Sequence, residues 1–213
     1  MKLVAHRGVW THPKEKNSMN SFEKAFVSGF GVETDFRDCN GKLVISHDVP
    51  EPNFVGMSAD EFFHKFRDLA ADKPLAINVK ADGIALHLKQ LIEDYDITEY
   101  RCFDMSVPDA RVYISAGLKI LSRLSEVERE SIFEVDSYGI WLDCFFDDWY
   151  DTELIESYLK REKEVWIVSP ELHGRCHLAL WQKLKNVRDI NSKGLYLCTD
   201  FPAEAKEFFY EQD

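Results

Sequence analysis

The sequence predicts an α/β fold, a (β/α)8 TIM barrel with a reduced insertion after its second strand, on three observations. Eight short β-type runs recur along the 213 residues, and stretches with apolar spacing near 3.6 separate them. No G-x-G-x-x-G follows the first run, which leaves the alternative, an open doubly wound sheet, without its usual phosphate loop. A length of 213 residues suits one domain spanning 1–213, since α/β barrels of this order form around a single core.

The β-type runs are KLVAH (2–6), VETDF (32–36), LAINVK (75–80), RCFDM (101–105), KILSRL (119–124), GIWLDCF (139–145), VWIVS (165–169) and LYLCT (195–199). The helix-like stretches lie around 18–29, 59–70, 84–95, 107–116, 125–134, 152–162, 172–184 and 203–211. Start signals mark several of them. Ser58 with Glu61 three residues later opens the second, and Asp200 with Pro202 precedes the last.

Composition narrows the function. A formal charge of −12 repels nucleic acid and anionic lipid, so no nucleic-acid partner is expected, and an anionic substrate needs a cation or clustered Arg and Lys. Five cysteines, never in C-x-x-C, fit neither a disulfide framework nor a zinc site; they read as reduced, with Cys102, Cys144 and Cys198 in the core. The opening MKLVAHRG is too short in apolar residues for a signal peptide, and no run approaches a membrane span. The expectation is a cytoplasmic protein without membrane insertion.

In a barrel of this kind the site lies at the carboxyl ends of the strands. His6, Arg7, Glu33, Asp35, Asn78, Lys80, Asp104, Arg123, Asp143, Ser169 and Asp200 fall there. Glu33 and Asp35 are two apart and share one face of their strand, where neighbouring carboxylates repel unless a cation intervenes. A hard divalent ion, Mg²⁺ or Ca²⁺, answers this. The alternative is a simple ion pair with Arg7, Arg37 or Lys80. His6 and His47 are placed to exchange protons near neutral pH. A two-residue Asn40-Gly41 hairpin would set His47 opposite Thr34, on the wrong face. A three-residue bulged turn, Cys39-Asn40-Gly41, would pair residue 33 with 47, and that turn or a looser equivalent is predicted.

The motifs His6-Arg7, Glu33-Thr34-Asp35 and His47-Asp48, with AHRG in the first strand and LYLCTDFP at the last, resemble those of glycerophosphodiester phosphodiesterases. The resemblance spans most of the chain and is most specific over the first 48 residues. It implies the same barrel and hydrolysis of a small-molecule phosphodiester. It also implies a divalent metal on Glu33 and Asp35, with His6 as base and His47 as acid (or the reverse), and phosphate contacts from Arg7 and Lys80. On the same shared barrel, the alternatives are a phospholipase-D-like or phospholipase-C-like lyase giving a cyclic phosphate, and a phosphate-binding barrel without turnover.

The chain departs from that pattern in several places. Asn78 stands where the third metal carboxylate is expected, so a neutral amide oxygen completes the ligand set. Lys16 replaces an acidic residue just before Asn17, with Glu15 as a candidate substitute. The segment after Asp48 is trimmed to VPEPNFVGM. Ser169-Pro170 replaces a family Asn; Trp166, His173 and Arg175 nearby either shape a different pocket or dock a loop. Arg123 either binds a second anionic group or pairs with Asp143 or Glu126.

Overall fold

The computed structural model describes residues 1–210. Its strands are β1 (Lys2–His6), β2 (Gly31–Cys39), β3 (Lys42–Ile45), β4 (Leu75–Val79), β5 (Tyr100–Phe103), β6 (Leu121–Leu124), β7 (Gly139–Leu142), β8 (Glu164–Val168) and β9 (Leu195–Thr199). The helices are α1 (Met19–Val27), α2 (Ala59–Ala70), α3 (Ala85–Asp94), α4 (Val107–Ser115), α5 (Thr152–Lys160), α6 (Leu178–Leu184) and α7 (Pro202–Tyr210).

Eight parallel strands run in the order β5-β4-β2-β1-β9-β8-β7-β6, with β3 added antiparallel to the end of β2. Between β5 and β6 a single parallel bridge, Cys102 to Ile120, and the bond from Cys102 N–H to the Lys119 carbonyl bring the edges together. The predicted (β/α)8 barrel is therefore present and nearly closed.

Two cores follow from strand alternation. Val4, Ala76, Phe103, Trp141, Trp166, Tyr196 and Cys198 fill the barrel interior, where Phe103 stacks on Trp141 at 3.8 Å and Trp166 on Tyr196 at 4.0 Å. The opposite faces of the strands pack against the helices. There Phe62, Phe63 and Phe66 of α2 are fully buried beside Phe22, Phe26 and Phe36. Each buried phenyl contributes about 1.5–3 kcal/mol by removal from water. The Ser58–Glu61 capping box forms as predicted, the two residues exchanging backbone and side-chain bonds at 2.8–3.1 Å.

The amino-terminal end of the barrel is closed by charge. Arg101 Nε donates to Glu164 Oε2 at 2.7 Å, and Trp166 Nε1 donates to the same oxygen at 2.9 Å. These bonds plug the barrel interior at that end.

Cys102, Cys144 and Cys198 are buried, and all five cysteines are free. Among the described residues no helix is long and apolar enough to cross a membrane.

Two helical expectations are corrected. The stretch 125–134 holds only turns, because Val127 and Ile132 are exposed and leave no apolar stripe to dock. Its Glu126 carboxylate instead accepts backbone N–H groups from Phe146 and Asp147. The stretch 172–184 is broken into a 3-10 turn at Pro170–His173 and α6, with Gly174 left-handed at φ 74° between them.

Candidate active site

Register sets the site. His6 on β1 lies beside Glu33 on β2, and Asp35 lies beside Asn78 on β4. Val4 and Ala76 point inward, so His6 and Asn78, two residues further on, point inward as well, at the carboxyl-terminal rim. His6, Arg7, Glu33, His47, Asn78 and Lys80 line one cavity of about 400 Å³ there, and the fully buried Asp35 is ion-paired to two of them, Arg7 and Lys80. All seven predicted site residues are thus gathered at one place.

His6 is fixed from behind. Its Nδ1 meets Asp200 Oδ1 at 2.6 Å, while Nε2 faces Glu33 Oε2 at 3.8 Å. A carboxylate can only accept, so Nδ1 bears the proton and the neutral ring presents Nε2 as a base. Burial lowers the His6 pKa, opposed by the Asp200 hydrogen bond and charge. For Asp200, burial alone would raise the pKa, but the bond and charge of His6, with Lys16 at 3.2 Å, hold it below the usual carboxylate range.

Glu33, Asp35 and Asn78 form an oxygen cluster with unmet bonds. Asn78 Nδ2 donates to Glu33 Oε1 at 3.2 Å, and Asp35 Oδ2 accepts from Asn17 Nδ2 at 2.9 Å and lies 2.7 Å from Arg7 Nε. Glu33 Oε2, Asp35 Oδ1 and Asn78 Oδ1 are buried without a hydrogen-bond partner. Burial first, and then Asp35, push the Glu33 pKa up to about 8. Buried orphan oxygens of this kind are rare in native proteins, and three hard oxygen donors fit a divalent cation of the Mg²⁺ or Ca²⁺ type. Among the described residues no three His, Cys, Asp or Glu side chains form a metal-holding group; the set is two carboxylates and an amide. The ion-pair alternative also holds in part, since Arg7 meets Asp35, with Lys80 Nζ at 3.7 Å from its other oxygen.

The backbone around Arg7 is constrained. Arg7 is left-handed at φ 57° and Gly8 follows at φ 89°, while the Arg7 carbonyl accepts from Asn17 N–H and Ser21 Oγ. Asn17 also accepts from Thr34 Oγ1 at 2.9 Å, so one amide ties the first loop to β2 beside Asp35.

The hairpin expectation is corrected. Cys39 pairs with Lys42 and Phe36 with Ile45, which is the two-residue Asn40-Gly41 turn, with φ of 51° and 77° at its centre. His47 nevertheless reaches the cavity, because β3 ends at Ile45 and strand parity no longer governs the residues beyond it. Ser46 Oγ closes a turn onto the Asp48 carbonyl, and Arg37 donates to the carbonyls of both His47 (3.0 Å) and Lys80 (2.6 Å). Arg37 is therefore a clamp joining two site segments, not a carboxylate partner. The His47 side chain is 49% exposed against 10% for His6, and its Nδ1 meets the exposed Asp48 at 2.9 Å. A more open groove of about 1110 Å³ adjoins at Arg7, Lys16 and His47, but contains neither His6 nor Glu33, which line the smaller cavity.

Other expectations resolve as follows. Glu15 does not replace the missing acidic residue, since its carboxylate caps Thr11 N–H and faces Lys24. Lys16 instead sits over the Trp10 ring at 4.3 Å and bridges to Asp200. Arg123 pairs with Glu128 at 2.8 Å and Asp104 at 3.2 Å, neither of the partners expected. Burial raises the Asp104 pKa against the pull of Lys80 and Arg123. Arg175 docks on the Cys144 carbonyl and Asp148, and Trp166 lies in the barrel interior; of that segment's three residues only His173 lines the cavity.

No family model matches the chain, and no curated protein matches it either. Solved structures do. A candidate glycerophosphodiester phosphodiesterase from Galdieria sulphuraria superposes with TM-score 0.74 at 18% identity, over 98% of this chain and 97% of its own. The glycerophosphodiester phosphodiesterase of Agrobacterium tumefaciens str. C58 gives 0.69 at 15% identity, over 100% of both chains. An Oleispira antarctica phosphodiesterase in complex with the product sn-glycerol-3-phosphate gives 0.67 at 14%, over 98% and 96%. What is shared is the fold. At these identities the superpositions establish the barrel end to end, and the chemistry is argued from the side chains above.

Proposed function

We propose that the chain is a glycerophosphodiester-phosphodiesterase-type hydrolase that converts a small phosphodiester to an alcohol and a phosphomonoester with a divalent cation. The observation that supports this most is the single rim cavity where a His–Asp-held base, three orphan buried oxygens and two phosphate-seeking cations meet. That combination stands on a barrel shared with proteins described as phosphodiesterases, one of them with glycerol phosphate bound.

In this reading His6 Nε2 takes a proton from water as its oxygen forms a bond to phosphorus. His47, at the mouth, gives a proton to the alcohol oxygen as its bond to phosphorus breaks. Arg7 and Lys80 contact the phosphate oxygens and offset charge that grows in the transition state. Glu33, Asp35 and Asn78 would hold the cation, which supplies Lewis-acid polarisation of a phosphoryl oxygen when bound. Asn78 gives this set one negative charge fewer than three carboxylates, so weak metal affinity is part of the proposal.

The test is turnover of a phosphodiester panel with Mg²⁺, Ca²⁺ or chelator, using wild type, His6→Ala and His47→Ala. Expected is cation-dependent release of alcohol and phosphomonoester, lost in both variants. Turnover that survives either the chelator or the loss of His6 contradicts the mechanism, and a cyclic phosphate product replaces the hydrolase reading with a lyase.

A further inference from the structure

The rim cavity holds a second His–Asp pair, which the proposed hydrolysis does not use. His173, at the end of the 3-10 turn after β8, places Nε2 at 2.7 Å from Asp143 Oδ1, just beyond β7. Asp143 is buried, and the same Oδ1 accepts the Cys144 N–H at 2.8 Å. The arrangement parallels His6 with Asp200, but it is contributed by β7 and β8 and not by β1 and β9.

The pair is built to present an acceptor. A carboxylate cannot donate, so Nε2 bears a proton; the tautomer this contact selects carries its lone pair on Nδ1, where no hydrogen bond is made among the described residues. The ring is held against Phe145, with centroids 4.8 Å apart. Around it the cavity has an aromatic floor, Phe103 stacked on Trp141, and a charged edge where Arg123 meets Asp104. Flat apolar floor, fixed acceptor and polar edge together suit a small polyol: C–H faces settle on the rings and hydroxyls reach the polar groups. The wider groove beside His47 contains neither His173 nor Asp143, so the two regions are lined by different residues.

Resting on the phosphodiesterase reading, we propose that His173, positioned by Asp143, is a specificity-determining residue whose Nδ1 accepts a hydroxyl from the alcohol half that stays on the phosphate.

Two diesters that differ only in those hydroxyls test it: glyceryl p-nitrophenyl phosphate and propyl p-nitrophenyl phosphate, assayed with Mg²⁺. His173→Ala is expected to lose about tenfold to a hundredfold in kcat/KM on the glyceryl diester and nothing comparable on the propyl diester. Asp143→Asn should raise KM for the glyceryl diester with kcat less affected, as loss of positioning predicts. Equal losses on both diesters, or none on either, overturn the assignment. His173→Gln replaces His173→Ala if the latter does not give the wild-type melting curve. Should the wild type hydrolyse neither diester, the phosphodiesterase reading fails, and calorimetry decides the His173 site by itself. Binding of sn-glycerol 3-phosphate that weakens tenfold or more in the variant, with propyl phosphate unchanged, then supports the site; equal binding by variant and wild type overturns it.

Discussion

His6 and Asp200 stand 194 positions apart in the chain and meet at 2.6 Å between Nδ1 and Oδ1. The barrel makes this possible by pairing β1 directly with β9, so the first and last strands end side by side. One bond sets both the tautomer of His6 and the direction of its Nε2.

Asp200→Asn should therefore cost more than one hydrogen bond. An amide can donate to Nδ1 and force the proton onto Nε2, which removes the base while leaving the packing in place. Turnover is expected to fall by about 10²–10⁴, the usual worth of a general base, with little change in melting temperature. The pH profile offers a second readout. Asp200 raises the His6 pKa against burial, so its loss should move the acid limb of kcat/KM to lower pH. An unshifted limb with full activity would remove Asp200 from the mechanism.

Glu33 makes stability depend on pH and cation together. Its folded pKa, about 8, lies above the ordinary value of 4.5, so between these values the folded chain binds more protons than the unfolded one. Without a divalent ion, this group's contribution is full below about pH 4.5 and is lost as pH rises through 8. A cation needs the ionised carboxylate, so Mg²⁺ or Ca²⁺ should raise the melting temperature more at pH 8 than at pH 5. Glu33→Gln should flatten both trends, and thermal melts across that range measure them.

Asn78→Asp separates the cation site from simple packing. The swap is nearly isosteric but replaces the amide that donates to Glu33 Oε1 with a third carboxylate. Without metal the variant should be less stable than wild type by about 1–3 kcal/mol, because a buried acceptor loses its donor. The variant should nevertheless bind Mg²⁺ or Ca²⁺ more tightly than wild type, since hard-cation binding follows ligand charge. Calorimetric titration giving equal cation affinities would place residue 78 outside the ligand set.

Much of this site is legible in sequence because parity and rim position act locally. Glu33 and Asp35 share a face by spacing alone, and strand ends place His6, Asn78 and Lys80 together once the barrel is assumed. The clamps are not legible. Arg37 acts on two backbone carbonyls and Asn17 on a carbonyl, a hydroxyl and a carboxylate from separate segments. No local pattern encodes such partners. Parity does not predict the hairpin, because His47 lies past the point where β3 ends. Residues 125–134 are helix-forming in composition but lack a buried apolar stripe, and tertiary packing decides such cases.

Gly8 offers a test of the loop that carries Arg7. Its φ of 89° is a region that L side chains rarely adopt, and a Cβ there would lie 2.7 Å from the Ser21 backbone carbon and 2.5 Å from Ser21 Oγ. Ser21 is fully buried and bonds the Arg7 carbonyl, so it has no room to retreat. Gly8→Ala should then cost about 1–3 kcal/mol from strain and overpacking. Because the displaced segment bears His6 and Arg7, turnover should fall together with stability, and crowding at Ser21 can be relieved by a second change. Gly8→Ala combined with Ser21→Gly tests this directly by urea denaturation and assay. Partial recovery of both quantities is expected, and recovery of neither would assign the effect to the backbone angle of residue 8 and its contact with the Ser21 backbone, which the second change leaves in place.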